Sequence, residues 1–240
     1  MKIALVTGAN KGIGYEVAKQ LAQLGNFVYL GCRDMSLVKK AIENLHTIGL
    51  INTEAIYIDV TKIETIKEAK NIIEAKSRCL DILVNNAGIA GKFPQPASSF
   101  PVEEIKKVFE TNFFGVIQVT QEFLPLLKKS IDGRIVNVSS GLGSLSGHSD
   151  PNWKYVQNKP TGYSVSKAAL NGYTIMLAFE LKDTAIKVNS VDPEYTATDL
   201  NNFRGDRTPE HSAKVIVKYA TLDKEGVTGK YFNEYGELSW

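Results

Sequence analysis

The strongest constraint on how this chain folds is a regular alternation of short apolar runs with longer amphipathic stretches. Runs of strand length occur at KIALVTG (2–8), FVYLGCR (27–33), EAIYIDV (54–60), LDILVNNAG (80–88), GRIVNVSS (133–140), IKVNSVDP (186–193) and GKYFNE (229–234). Between them, 12–24, 35–48, 62–77, 102–129, 163–182 and 209–220 read as helices. Near-continuous apolar runs suit strands buried on both faces, and parallel neighbours need a helical crossover between them. The pattern predicts an α/β fold: a doubly wound, seven-stranded parallel sheet flanked by helices on both faces. With 240 residues, 43% of them hydrophobic, the chain can bury one large core. No repeat or Pro, Gly or Ser-rich linker divides it, so 1–240 is expected to form a single domain. The longest irregular stretches, 141–162 and 194–208, follow strand ends on the carboxyl side of the sheet, where such folds bind ligands.

Charge and composition exclude several classes of function. The 28 basic and 26 acidic residues leave a net charge of +2, and the lysines are dispersed, so no basic face for nucleic acid is expected. The opening apolar run is too short for a signal-peptide core or a membrane span, which predicts a cytoplasmic protein without membrane association. Cys32 and Cys79 have neither disulfide-framework nor zinc spacing, and His46, His148 and His211 lack ligand-spaced partners. No metal site is expected.

The first strand runs into TGANKGIG, placing Gly8, Gly12 and Gly14 at a strand-to-helix turn. Such glycines let the backbone approach a pyrophosphate, while the helix N-terminus offers unpaired N–H groups and a positive dipole end. The turn therefore predicts a Rossmann-type dinucleotide site, with Asn10, Lys11 and Ile13 also at the cofactor. The second strand ends in GCRD, where an acid would read a free ribose 2′-hydroxyl and a base a 2′-phosphate. Arg33, with Lys11, favours the phosphate and hence NADPH; the other reading gives the ribose to Asp34. Further along, GYSVSKAALNGY places Tyr163 and Lys167 four residues apart, on one helix face. A lysine held there would pull down a phenol pKa that is ordinarily about 10.

Together, TGANKGIG, Asn86–Ala87–Gly88 in NNAG, Asn112 in TNFFG, Ser140 in VNVSS, and Tyr163 with Lys167 in YSVSK resemble the short-chain dehydrogenases/reductases over essentially the whole chain. Their wording is closest to the carbonyl reductase branch. That resemblance implies NADPH-dependent reduction of aldehydes, ketones or quinones, with a small carbonyl compound as partner. Tyr163 would give the proton, Lys167 would tune it and hold the nicotinamide ribose, Ser140 would bond the substrate oxygen, and Asn112 would hold a relay water. The resemblance also puts Asp59 and Val60 at the adenine and Pro193 and Thr198 at the nicotinamide. Each residue has a plainer reading: Ser139 and Ser140 as turn formers, Asn112 as a helix bender, Asn86 as a brace, and Asp59 as a helix cap.

Two departures stand out. Glu194 follows Pro193 where the family usually has glycine, and would narrow or charge the site unless it points to solvent. Ser140 and Tyr163 are separated by 22 residues, an insertion typical of the carbonyl reductase branch, which favours a monomer over a homo-oligomer. Segments of about 141–162 and 194–213 would then select the substrate, through Trp153, Tyr155 and Tyr195. Two alternatives remain: an NAD-linked alcohol or steroid dehydrogenase, and a catalytically silent dinucleotide-binding regulator.

Overall fold

The computed structural model describes Met1–Trp240. The strands β1 (Ile3–Thr7), β2 (Phe27–Cys32), β3 (Thr53–Tyr57), β4 (Ile82–Asn85), β5 (Arg134–Val138), β6 (Lys187–Val191) and β7 (Tyr231–Asn233) pair in parallel in the order β3-β2-β1-β4-β5-β6-β7. Helices α1 (Gly12–Gln23), α2 (Met35–Thr47), α3 (Ile63–Lys76), α4 (Val102–Phe109), α5 (Gly115–Leu127), α6 (Leu145–Ser149), α7 (Thr161–Glu180) and α8 (Pro209–Ala220) make up the helical layers. Two apolar clusters form the core, one on each face of the sheet. One joins β1, β2, α1, α2 and α8; the other joins α3, α5 and α7 to the opposite sides of the same strands. The order of connections reverses between β1 and β4, and the crevice at that point lies at the carboxyl ends of the strands.

The sheet has eight strands, not seven. After β7 the chain turns back as β8 (Gly236–Glu237), antiparallel to it, because Asn233 Oδ1 accepts the N–H groups of Tyr235 and Gly236 at 2.9 and 3.2 Å and closes a tight hairpin. A two-residue strand is too short to carry a period. The expected helix 102–129 is interrupted at Glu110–Phe114 by one wide turn of π type, which contains Asn112. The insertion is not wholly irregular either, since α6 lies inside it with Ser144 as its N-cap, accepting the Gly147 N–H at 3.0 Å. β3 ends at Tyr57, so Asp59 and Val60 belong to the turn into α3. No helix is long and apolar enough to cross a membrane.

Arg134, at the start of β5, is fully buried, a costly place for a guanidinium. It is ion-paired with Asp132 and donates to the carbonyls of Gly133, Ala185, Leu222 and Asp223 at 2.6 to 3.3 Å. The loop after α8 and the approach to β6 thereby close on the middle of the sheet. Arg134→Met should lower unfolding free energy by about 1–3 kcal/mol, because it leaves several carbonyls without their donor while Asp132 keeps its pairing with Lys2; urea denaturation measures this.

Candidate active site

Gly8 follows β1 with φ 65°, a left-handed backbone that favours glycine, and a Cβ there would meet Ala87 Cα at 2.9 Å. Gly14 is constrained by space instead, since a Cβ would fall 2.4 Å from both Asn86 Nδ2 and Gly8 O. The turn and the NNAG segment are therefore locked together. Asn86 donates to the carbonyls of Thr7 and Gly8 at 2.9 and 3.1 Å, and Thr7 Oγ1 accepts the N–H groups of Asn86 and Ala87. Asn86 is thus a brace, as its plainer reading held. Lys11, before the first turn of α1, provides no side-chain cap, and that turn holds no acid. Its N–H groups remain available to a phosphate.

At the end of β2, Asp34 is spent on capping α2: its Oδ1 accepts the N–H groups of Ser36 and Leu37 at 3.0 and 3.1 Å and the Ser36 hydroxyl at 2.7 Å. Arg33 beside it is exposed and enters no ion pair. Lys11, expected at the same phosphate, is paired with Asp199 at 2.9 Å, a contact between exposed groups that water readily exchanges. Asp59 Oδ1 accepts the N–H and hydroxyl of Thr61, a local turn before α3, and Val60 packs toward Gly115. Asn10 and Ile13 lie half-buried in the glycine turn. Across the crevice, Thr198 follows the buried Pro193 and caps a short 3₁₀ turn; its Cγ2 would lie 3.5 Å from a Cβ on Gly12.

The catalytic candidates meet at the ends of β5 and α7. Lys167 is 5% exposed, and its Nζ donates to Val138 O at 2.7 Å. A Cβ on Gly88 would lie 3.7 Å from that Nζ and 3.4 Å from Asn112 Oδ1, so NNAG, the wide turn before α5 and α7 converge on one point. Asn112 is fully buried and its amide clasps the main chain of Ile89: Oδ1 accepts Ile89 N–H and Nδ2 donates to Ile89 O, both at 2.9 Å. Nδ2 also donates to Ser166 Oγ at 3.1 Å. Asn112 therefore positions the segment beneath Lys167. A widened turn carries Asn112, but its side chain bonds Ile89 and Ser166 and not its own backbone, so the helix-bender reading does not describe it.

Tyr163 is half-buried beside Ser140. Burial pushes its phenol up to about 12; hydrogen bonding to Ser140 opposes the rise, and the Asp192 carboxylate adds to it. Burial likewise pulls Lys167 down to about 8. The lowering of Tyr163 by Lys167 expected from their spacing is not found in this arrangement. The ammonium is held by Val138 O, 5.9 Å from the centre of the tyrosine ring, and desolvation of the phenol dominates.

Three supporting residues gave no signal in the sequence. Gln95, 4% exposed, accepts the Tyr163 N–H at 3.0 Å and donates to Ala90 O at 2.7 Å, holding the start of α7. Tyr231 reaches from β7 to donate to Ser140 O. Asp192, also 4% exposed, is raised to about 6, chiefly by burial and then by Glu194. Glu194 itself has φ 63° and so occupies a backbone state normally left to glycine, at a cost of about 1–2 kcal/mol. Its carboxylate points neither at the glycine turn nor into solvent, but at Lys154 and Asn233. Ser139, read as structural, is buried and its hydroxyl has no partner.

A sequence model described as short chain dehydrogenase matches residues 2–208. Salutaridine reductase of Papaver bracteatum is 33% identical, the alignment covering 100% of this chain and 96% of that protein. Carbonyl reductase [NADPH] 1 of Pongo abelii is 30% identical over 100% of this chain and 99% of its own length. Among solved structures, the NADPH-bound carbonyl reductase from chicken fatty liver superposes with a TM-score of 0.86 at 26% identity, covering 100% of both chains. The chain belongs to the short-chain dehydrogenase family. It is an oxidoreductase of the carbonyl reductase-like branch.

The buried lysine has a thermodynamic signature. Its folded pKa of about 8 lies below the ordinary 10.5, so between these values the unfolded chain binds more protons and stability rises with pH. From pH 8 to pH 10, unfolding free energy should rise by roughly 2 kcal/mol more in the wild type than in Lys167→Met, as read by urea denaturation at both pH values.

Proposed function

We propose that this protein is an NADPH-dependent reductase of aldehydes, ketones or quinones, with Tyr163 as the proton donor. The observation that carries the reading is the meeting of the Tyr163 phenol, the Ser140 hydroxyl and the buried Lys167 ammonium at the carboxyl edge of the sheet.

The residues suit a phosphorylated dinucleotide. The glycine turn has no room for side chains at Gly8 and Gly14, the first turn of α1 is uncapped, and Arg33 is unpaired while Asp34 is committed to its helix. Gly8, Asn10, Gly12, Ile13 and Gly14 would hold the pyrophosphate, Arg33 the 2′-phosphate, and Asp59 and Val60 the adenine end. Asn86, Ala87 and Gly88 would line the ribose side, and Pro193, Thr198 and Lys167 the nicotinamide end. When bound, the reduced nicotinamide supplies the hydride.

The chain itself supplies the proton and the stabilisation of charge. A phenol near pKa 12 is fully protonated at neutral pH and can donate to the oxygen on which negative charge grows. Ser140 donates a hydrogen bond to that same oxygen. Lys167, with its pKa near 8, is predominantly charged at pH 7 and would hold the nicotinamide ribose beside the phenol. Asn112 keeps Ile89 and the adjoining Gly88 in place below the ammonium.

Tyr163→Phe should cut kcat for carbonyl reduction by about 10²–10⁴-fold while NADPH binding, measured by fluorescence titration, stays nearly intact. A variant that retained full turnover would remove Tyr163 from the proton path. Arg33→Ala should raise KM for NADPH by roughly 10- to 100-fold and leave that for NADH nearly unchanged. Equal losses with both dinucleotides would overturn the 2′-phosphate assignment.

A further inference from the structure

Glu194 ties together three parts of the chain that meet nowhere else in this way. Its N–H donates to Asp192 Oδ1 at 2.9 Å at the end of β6, and its Oε1 accepts from Asn233 Nδ2 of β7 at 2.6 Å. Its Oε2 accepts from Lys154 Nζ at 2.5 Å and from the Tyr155 hydroxyl at 3.4 Å, both in the insertion. The side chain is only 4% exposed. From residue 150 to residue 158, every other hydrogen bond stays within the insertion, so Glu194 is that segment's only polar tie to the sheet. A non-glycine residue kept in the left-handed region, with a buried carboxylate, persists only where its surroundings over-determine it.

What the tie holds in place is aromatic. Lys154 lies over the Tyr155 ring, 4.6 Å from its centre; the Trp153 and Tyr155 rings meet edge to face at 5.3 Å, and His148 meets Trp153 at 5.0 Å. Trp153 and Tyr155 wall a cleft of about 470 Å³ that also includes Gly141, Asp192, Glu194 and Tyr235. The cleft borders the candidate catalytic groups at Gly141, the residue after Ser140, where a Cβ would lie 3.6 Å from the Tyr155 ring.

We propose that Glu194 is a specificity-determining residue, a latch that fixes Trp153 and Tyr155 as a rigid aromatic wall, so that the cleft selects carbonyl compounds bearing a flat ring. The inference rests on the carbonyl reduction proposed above and adds the substrate class to it. Flat rings gain stacking and buried area against a wall that is already ordered, whereas short aliphatic carbonyls touch little of it.

The chain has two tryptophans, so Trp240→Phe leaves Trp153 as the single reporter. In that background Glu194→Gly, which also relieves the backbone, should raise acrylamide quenching of Trp153 and shift its emission to the red. Lys154→Met, which breaks the same pair from its exposed side, should do likewise, and Glu194→Gln should restore much of the protection by keeping the contact to Lys154. In the otherwise native chain, the ratio of kcat/KM for benzaldehyde over that for propanal should fall about 10-fold in Glu194→Gly. Unchanged quenching in both Glu194→Gly and Lys154→Met overturns the latch. An unchanged ratio overturns its role in specificity. A wild-type chain that reduces neither aldehyde with either dinucleotide refutes the carbonyl reading and the specificity with it, while the quenching measurement, which needs no turnover, still decides the latch.

Discussion

Asn85 and Asn137 sit side by side on β4 and β5, in the middle of the sheet, where apolar residues would be expected on both faces. Asn85 Nδ2 donates to Thr120 Oγ1 of α5 at 3.0 Å and to Asn137 Oδ1 at 2.9 Å. Asn137 Nδ2 donates to Thr174 Oγ1 of α7 at 2.9 Å, and Thr174 and Ser190 of β6 share a hydrogen bond at 2.8 Å. All five side chains are essentially excluded from water. Apolar packing tolerates small slips of a helix along a sheet, but a chain of buried hydrogen bonds does not, because a slip strands polar groups where water cannot reach them. The registers of α5 and α7 are fixed by this chain; Asn112 lies in the wide turn that leads into α5, and α7 carries Tyr163 and Lys167.

From that anchor the site is built outward by short main-chain contacts. Lys167 rests on the last carbonyl of β5, and Gly143 approaches it so closely that a Cβ would lie 3.0 Å from the lysine backbone. Asn112 clasps Ile89, and Gln95 holds the first turn of α7. The candidate catalytic groups thus stand on strands and helices, while the cleft beside them is lined by the insertion and the β6 and β7 ends. That division lets one catalytic frame serve many substrates, in keeping with the range of reductases to which the chain is similar.

The titration behaviour of the site follows from its dryness. Removing water disfavours every charge, raising the phenol and Asp192 and lowering the lysine. From spacing alone, the attraction between Tyr163 and Lys167 looks like the larger effect. Desolvation exceeds it because the lysine already has a carbonyl partner, and that partner comes from a strand 29 residues away in sequence.

Much of this was legible in the amino-acid sequence, for local reasons. Strand and helix periods follow from two-sided burial, the glycine turn from a backbone state other residues avoid, and the Tyr163–Lys167 pair from helical spacing. These determined the parallel sheet, the place of the dinucleotide crevice and the catalytic candidates. Only the tertiary structure decided which polar residue serves which partner. Lys11 became an ion pair and Asn112 a main-chain clasp because each role depends on a neighbour that folding brings in, whereas Asp34 and Asp59 turned to partners two or three residues further along. The destination of Glu194 was hidden because its partners are distant in the chain, and the eighth strand because two residues are too short to carry a period. A side chain's direction is set by what lies across the cleft from it, and the residues that stand there are distant in the chain.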